Sequence, residues 1–247
     1  MPQDHPEGGF LIVPPSRIGL AYGAVLLTAV LAFWLLAGFP LITYHLLMSA
    51  LLLPLIAWRQ ATAAHWLTTL PLPPTLRFIA LAYAAVMLEE TLVGTLAALL
   101  AEGDPSVWLD RVRQFITLNL FVFTGPILAF TAYVRLTRPH RWELLVIAGG
   151  WGLFAESVLQ RLVAAPMLAG LLIWPTIVVY ALIFLPATLS ASRARGMRNP
   201  PLLFRALLTW ALAFAIALPS VILVEHLRQQ TPDLFPPCLY MICPPKP

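Results

Sequence analysis

The sequence predicts an all-α integral membrane protein: a bundle of seven transmembrane helices, N-terminus in the cytoplasm, C-terminus outside. Three observations predict it. Of 247 residues 60% are hydrophobic and only 11% charged, where a soluble domain carries about 25% charged residues. The apolar residues come in long uncharged runs rather than stripes, at a mean hydropathy of +0.84. The basic residues gather at alternate connections between those runs. A soluble globular domain, a disordered chain and a disulfide scaffold are excluded. The 2 cysteines, both near the C-terminus, are too few to staple a fold.

A helix needs about 20 apolar residues to cross a ~30 Å hydrocarbon layer. Residues 1–17 read as a cytoplasmic segment, because they begin polar and lack the basic-then-apolar order of a cleaved signal. Residues 18–226 form the transmembrane domain, with segments at 18–37, 40–57, 76–101, 113–134, 142–165, 167–188 and 202–226. The first two are joined through Gly38-Phe39-Pro40 as a tight hairpin, and the fifth and sixth meet abruptly at Pro166. Residues 227–247 form an external tail that its prolines keep from being helical.

Orientation follows from the basic residues. One side holds Arg17, Arg59, Arg77, Arg135, Arg138, Arg141, Arg193, Arg195, Arg198 and Arg205, and the other holds Arg111, Arg113, Arg161, Arg228 and Lys246. The richer side is cytoplasmic, opposite to receptors and rhodopsins. Lys246 is the single lysine, so an intramembrane retinal Schiff base is excluded. Arginine at cytoplasmic helix ends accounts for the positive net charge without nucleic acid.

Ionisable residues deep in a span are functional candidates, since each costs at least ~2.5 kcal/mol to place there. Glu89 and Glu90 in the third segment and Glu156 in the fifth lie 13 or 14 positions along. At ~1.5 Å per residue they share one depth near mid-membrane. Arg161, about one turn beyond Glu156, is a candidate partner. This intramembrane polar cluster reads as a structural clasp between helices, as a proton or cation site, or as catalytic carboxylates. No His or Ser partner is evident at that depth. A second candidate set is soft. His45 and Met48 lie one turn apart near the outer end of the second segment, and imidazole with thioether suits Cu(I). Cys238, Met241 and Cys243 lie in the tail on the same side, as a disulfide loop or as copper ligands, and His226 ends the seventh segment there. There is no Gly-rich phosphate loop, no His-x-x-x-His pair and no nucleophile with an activating base, so an enzymatic role is left open.

Three stretches resemble the CtaG-type cytochrome c oxidase assembly factors, seven-span proteins linked to copper insertion. They are His45-Leu-Leu-Met48 through Pro54-Leu55, Phe121-Val-Phe-Thr-Gly125, and Ala169-Gly170 through Trp174-Pro175 with Tyr180 beyond. They occur in family order over roughly 40–185. The family's other histidines fall at Leu41, Gln114 and Leu118, its Asp-Gln pair at Ala165-Pro166, and its His-x-Pro at Glu89-Glu90-Thr91. The resemblance implies a respiratory assembly or accessory protein of the bacterial inner (plasma) membrane. It would contact lipid and an oxidase subunit and handle copper on the outer face through His45, Met48, Cys238, Met241 and Cys243. A second resemblance is to PrsW-type intramembrane proteases, through Leu88-Glu89-Glu90 and Phe154-Ala155-Glu156. That family's Lys and later histidines are missing. The competing reading is a proton- or ion-coupled transporter built on Glu89, Glu90 and Glu156.

Overall fold

A computed structural model describes residues 17–37, 44–101, 103–137, 139, 141–164, 166–190 and 201–231, in places by backbone alone. All regular structure among them is helical: α1 (Arg17–Ala37), α2 (Tyr44–Thr69), α3 (Pro74–Leu96), α4 (Trp108–Val122), α5 (Thr124–Leu136), α6 (Arg141–Ala155), α7 (Val158–Ala164), α8 (Pro166–Ser190) and α9 (Leu202–Gln230). A helix satisfies its backbone hydrogen bonds internally, which lipid demands of any spanning segment. Among the described residues three helices are long and apolar enough to cross, at Pro74–Leu100, Leu172–Ser190 and Leu202–Leu227. A fourth follows if the bent pair Pro105–Val122 and Thr124–Leu136 is taken as one span. The chain is a helical, multi-pass membrane protein.

Several elements depart from the expected spans, each for a local reason. The second runs on to Thr69, because nothing between Trp58 and Thr69 is Pro or Gly. The third ends in a π-helical turn, Ala97–Ala101. The fourth bends by 45° at Phe123. Pro126, in the first turn of α5, cannot donate to the carbonyl of Val122, and its ring crowds that carbonyl. The fifth is broken at Glu156–Ser157, where Ser157 adopts φ 55°, a left-handed conformation that few non-glycine residues take. Between α3 and α4, exposed Asp104 caps a short 3₁₀ turn. It accepts from the Ser106 hydroxyl at 2.6 Å and from the Ser106 backbone N–H at 2.9 Å. Those two donors, the hydroxyl foremost, hold its carboxyl below the ordinary value.

The helices sort into two compact units. In one, α3 packs on α4, and α5 packs on α9. Gly94 lies against the backbone of Val112, and the Trp108 ring N–H donates to Thr95 at 2.9 Å, so α3 and α4 are antiparallel. Gly125 lies against the backbone at Ala213 and Ala217, while Arg205 donates to the Tyr133 hydroxyl at 3.1 Å, so α5 and α9 are antiparallel too. The hydroxyls of Tyr83 and Thr124, 2.6 Å apart, tie α3 to the start of α5.

In the other unit α8 is central, packed by α2, α6 and α7, with α1 against α2. Gly149 meets Ile177 and Gly152 meets Tyr180. The two pairs run in the same order, so α6 and α8 point the same way where they touch. The chain therefore turns back between them. The reversal at Glu156–Ser157 starts that turn, and short α7 lies against α8 with Val158 and Leu172 packed together.

Small residues at the crossings let backbones approach, and packing of that kind holds helices together where lipid supplies no hydrophobic drive. Gly125→Leu is expected to lower the unfolding temperature in detergent, at a cost of about 1–3 kcal/mol or more from overpacking. A Cβ at Gly170 meets nothing within 4 Å, so Gly170→Ala in the same assay is expected to leave stability unchanged or slightly raised.

Candidate functional site

Glu156 occupies the end of α6, where the helix tightens before the reversal. Its N–H bonds to the Gly152 carbonyl at 2.9 Å, and the Ser157 N–H bonds to Phe154 at 3.0 Å. The reversal aims the Glu156 side chain at α8, where the Tyr180 hydroxyl donates to Oε1 at 2.8 Å. Gly152 lies one turn before Glu156, and the Tyr180 ring rests on it where any larger residue would stand. From α2, Nε2 of His45 reaches the same carboxylate oxygen at 3.9 Å. His45 is 2% exposed, and its ring lies tilted by 36° against that of Tyr44 with centroids 3.9 Å apart. Three stretches far apart in sequence thus converge on one carboxylate.

This arrangement is polar. The phenol donates, so the carboxylate oxygen it meets is an acceptor. At 3.9 Å the imidazole lies beyond a direct hydrogen bond but within ion-pair range, a spacing that one water can bridge. Tyr180 also holds the carboxylate to α8, which leaves its orientation fixed rather than free to follow the His45 ring.

The expected soft-ligand set fares differently. His45 and Met48 are one turn apart on α2 and both are buried, with the imidazole Nε2 3.9 Å from Glu156 Oε1. Cys238, Met241 and Cys243 lie outside the described residues, and so does the side chain of Arg161. His226 is exposed near the end of α9. Among the described residues no three His, Cys, Asp or Glu side chains gather as a metal site.

Glu89 and Glu90 belong to the other unit, on α3, and both are buried. Glu90 sits one turn before Gly94, on the face that meets α4. On α4, Gln114 is 2% exposed. Its Oε1 accepts from Arg111 at 3.2 Å, and its Nε2 has no hydrogen-bond partner among the described residues. Glu89 and Glu90 thus belong to one unit and Glu156 to the other.

Two things escape the sequence. Tyr180 is not singled out as a partner of Glu156, and His45 is read with Met48 instead of with a glutamate. The available signal is Gly149-Gly150-Trp151-Gly152, a small-residue face one turn ahead of Glu156, which marks where another helix presses close.

Tyr180→Phe keeps the ring on Gly152 and removes only the donor. It is expected to cost roughly 1.5–3 kcal/mol, the range for a hydrogen bond to a charged group. Gly152→Ala pushes the same ring away. Thermal unfolding in detergent should show the double variant losing less than the sum of the two single losses, because both act through one contact. Compared with known protein families, with characterised proteins and with solved structures, the chain matches none of them.

Proposed function

We propose that this protein handles protons or other cations within the bilayer, in the manner of an ion-coupled transporter, with Glu156 as its central group. One observation carries the reading: α2, α8 and the α6–α7 reversal bring His45, Tyr180 and Glu156 together inside one unit. A carboxylate in a membrane segment is costly and is kept where it serves an ion or a proton. Broken helices are the usual carriers of such sites, because the break aims backbone and side-chain groups at a point within the membrane. Glu89 and Glu90, buried in the other unit, are the second place where such a protein would hold charge.

Counted over seven crossings, the arginine asymmetry supports a cytoplasmic N-terminus. Seven full crossings place the C-terminal tail outside. A fold-back of α6–α7, which the same-order contacts of α6 and α8 support, gives six crossings and a cytoplasmic tail. A reporter fused to the C-terminus separates the two arrangements.

A second reading is a respiratory accessory protein resembling the CtaG-type factors, with copper as its cargo. It is favoured by His45 and Met48, buried one turn apart in one unit. Stoichiometric Cu(I) on purified protein, lost in His45→Ala and in Cys238→Ser, would support it over the first.

For the first reading the assay is gradient-driven flux into liposomes holding the purified chain. Glu156→Gln is expected to abolish flux, and Glu89→Gln to reduce it. Full flux in Glu156→Gln rejects the reading.

A further inference from the structure

We infer that His45 and Glu156 form a proton-transfer couple, one proton residing alternately on the imidazole and on the carboxylate, with Tyr180 as the positioning residue. The inference rests on the functional reading above and names its ion as the proton.

The first argument is the donor set. Hard metal cations take about six or more oxygen ligands. The described groups that meet here are one carboxylate, one phenol already donating to it, and one imidazole. A proton needs only two bases within reach of each other. His45 Nε2 and Glu156 Oε1 are 3.9 Å apart, which a small ring movement or one intervening water closes.

The second argument is charge. Before transfer the pair is imidazolium and carboxylate; afterwards it is neutral imidazole and carboxylic acid. The N–H bond at Nε2 breaks, an O–H bond forms on Glu156, and nothing is oxidised or reduced. The net charge of the pair is zero in both states, so neither leaves an uncompensated ion beside buried His45.

A third observation is independent of the pair. Thr176 is fully buried on α8, one turn before Tyr180 on the same face, and its hydroxyl has no hydrogen-bond partner among the described residues. Buried polar atoms of that kind are served by internal water. The conformation of Ser157, φ 55°, adds a strained residue directly beside the reacting group, as functional sites often carry.

The titratable groups at this place are His45 and Tyr44 from α2, Tyr180 from α8, and Glu156 from the reversal. The described side chains of α1 include no ionisable group. Glu143 lies 13 positions earlier in the chain, about 20 Å along α6. Arg161, one turn into α7, is described by its backbone alone.

The test is infrared difference spectroscopy of the full chain in lipid, between acid and neutral pH and in H2O and D2O, run beside the flux assay. The expected result is a deuterium-sensitive carboxylic acid band that is lost in Glu156→Gln and shifted in frequency in Tyr180→Phe. In His45→Gln the band is expected to change its response to pH. The Tyr180→Phe shift needs only the native carboxylate, so it assigns the band even where Glu156→Gln fails to fold. A band indifferent to all three variants overturns the couple. Flux driven by a Na⁺ or K⁺ gradient, with Glu156 ionised throughout, overturns the proton and leaves the broader transport reading standing. A band assigned to Glu156 in a chain without flux does the reverse.

Discussion

In lipid every backbone N–H and C=O must find its partner inside the protein, and that demand shapes the described fold. It explains why regular structure is helical throughout, and also how the polar side chains behave. Thr91, Thr95, Thr117, Thr131, Thr188 and Thr209 each return their hydroxyl to a carbonyl one turn back in their own helix. A hydroxyl satisfied in this way asks nothing of its neighbours. Where the ladder is interrupted, as at Phe123 and at Glu156–Ser157, the chain supplies other contacts: the Tyr83–Thr124 pair beside one break, and Tyr180 with His45 beside the other. Each of these two breaks thus has a polar contact beside it.

The same solvent removes the usual reason for helices to associate, since lipid is as apolar as leucine. Close fit takes its place. Gly94 against Val112, Gly125 against Ala213 and Ala217, and Gly149 and Gly152 against Ile177 and Tyr180 each bring a backbone against a neighbouring helix. Large apolar side chains such as Leu36, Leu88, Val163, Leu203 and Leu218 are left outward. In a soluble protein that would be an aggregation surface; here it suits contact with acyl chains.

Much of this is legible in the sequence. Hydropathy alone finds the long apolar helices, because span length and lipid thickness are tied by geometry. Glu89 and Glu90 were legible as buried charges, and they are buried. The failures have a common physical cause. Hydropathy averages over a window and is blind to a single backbone dihedral, so the reversal at Ser157 reads as uninterrupted span. Depth along a helix says nothing of which neighbour a side chain meets, so counting residues does not reveal that Glu156 contacts His45 and Tyr180. Pro126 was visible, but a proline is tolerated within α8 at Pro175 and Pro186 and accompanies a 45° bend at Phe123. The residue type does not decide between those outcomes; what surrounds it does.

The seating of the Tyr180 ring on Gly152 links mechanics to chemistry. The glycine is the bearing surface on which α8 rests against α6, and the far end of the same ring grips the carboxylate one turn further on. Because an aromatic ring does not compress or bend, a tilt or slide of α6 across α8 cannot be absorbed at the contact and is delivered to the phenolic oxygen. The ring works as a rigid pushrod between helix position and hydrogen bond.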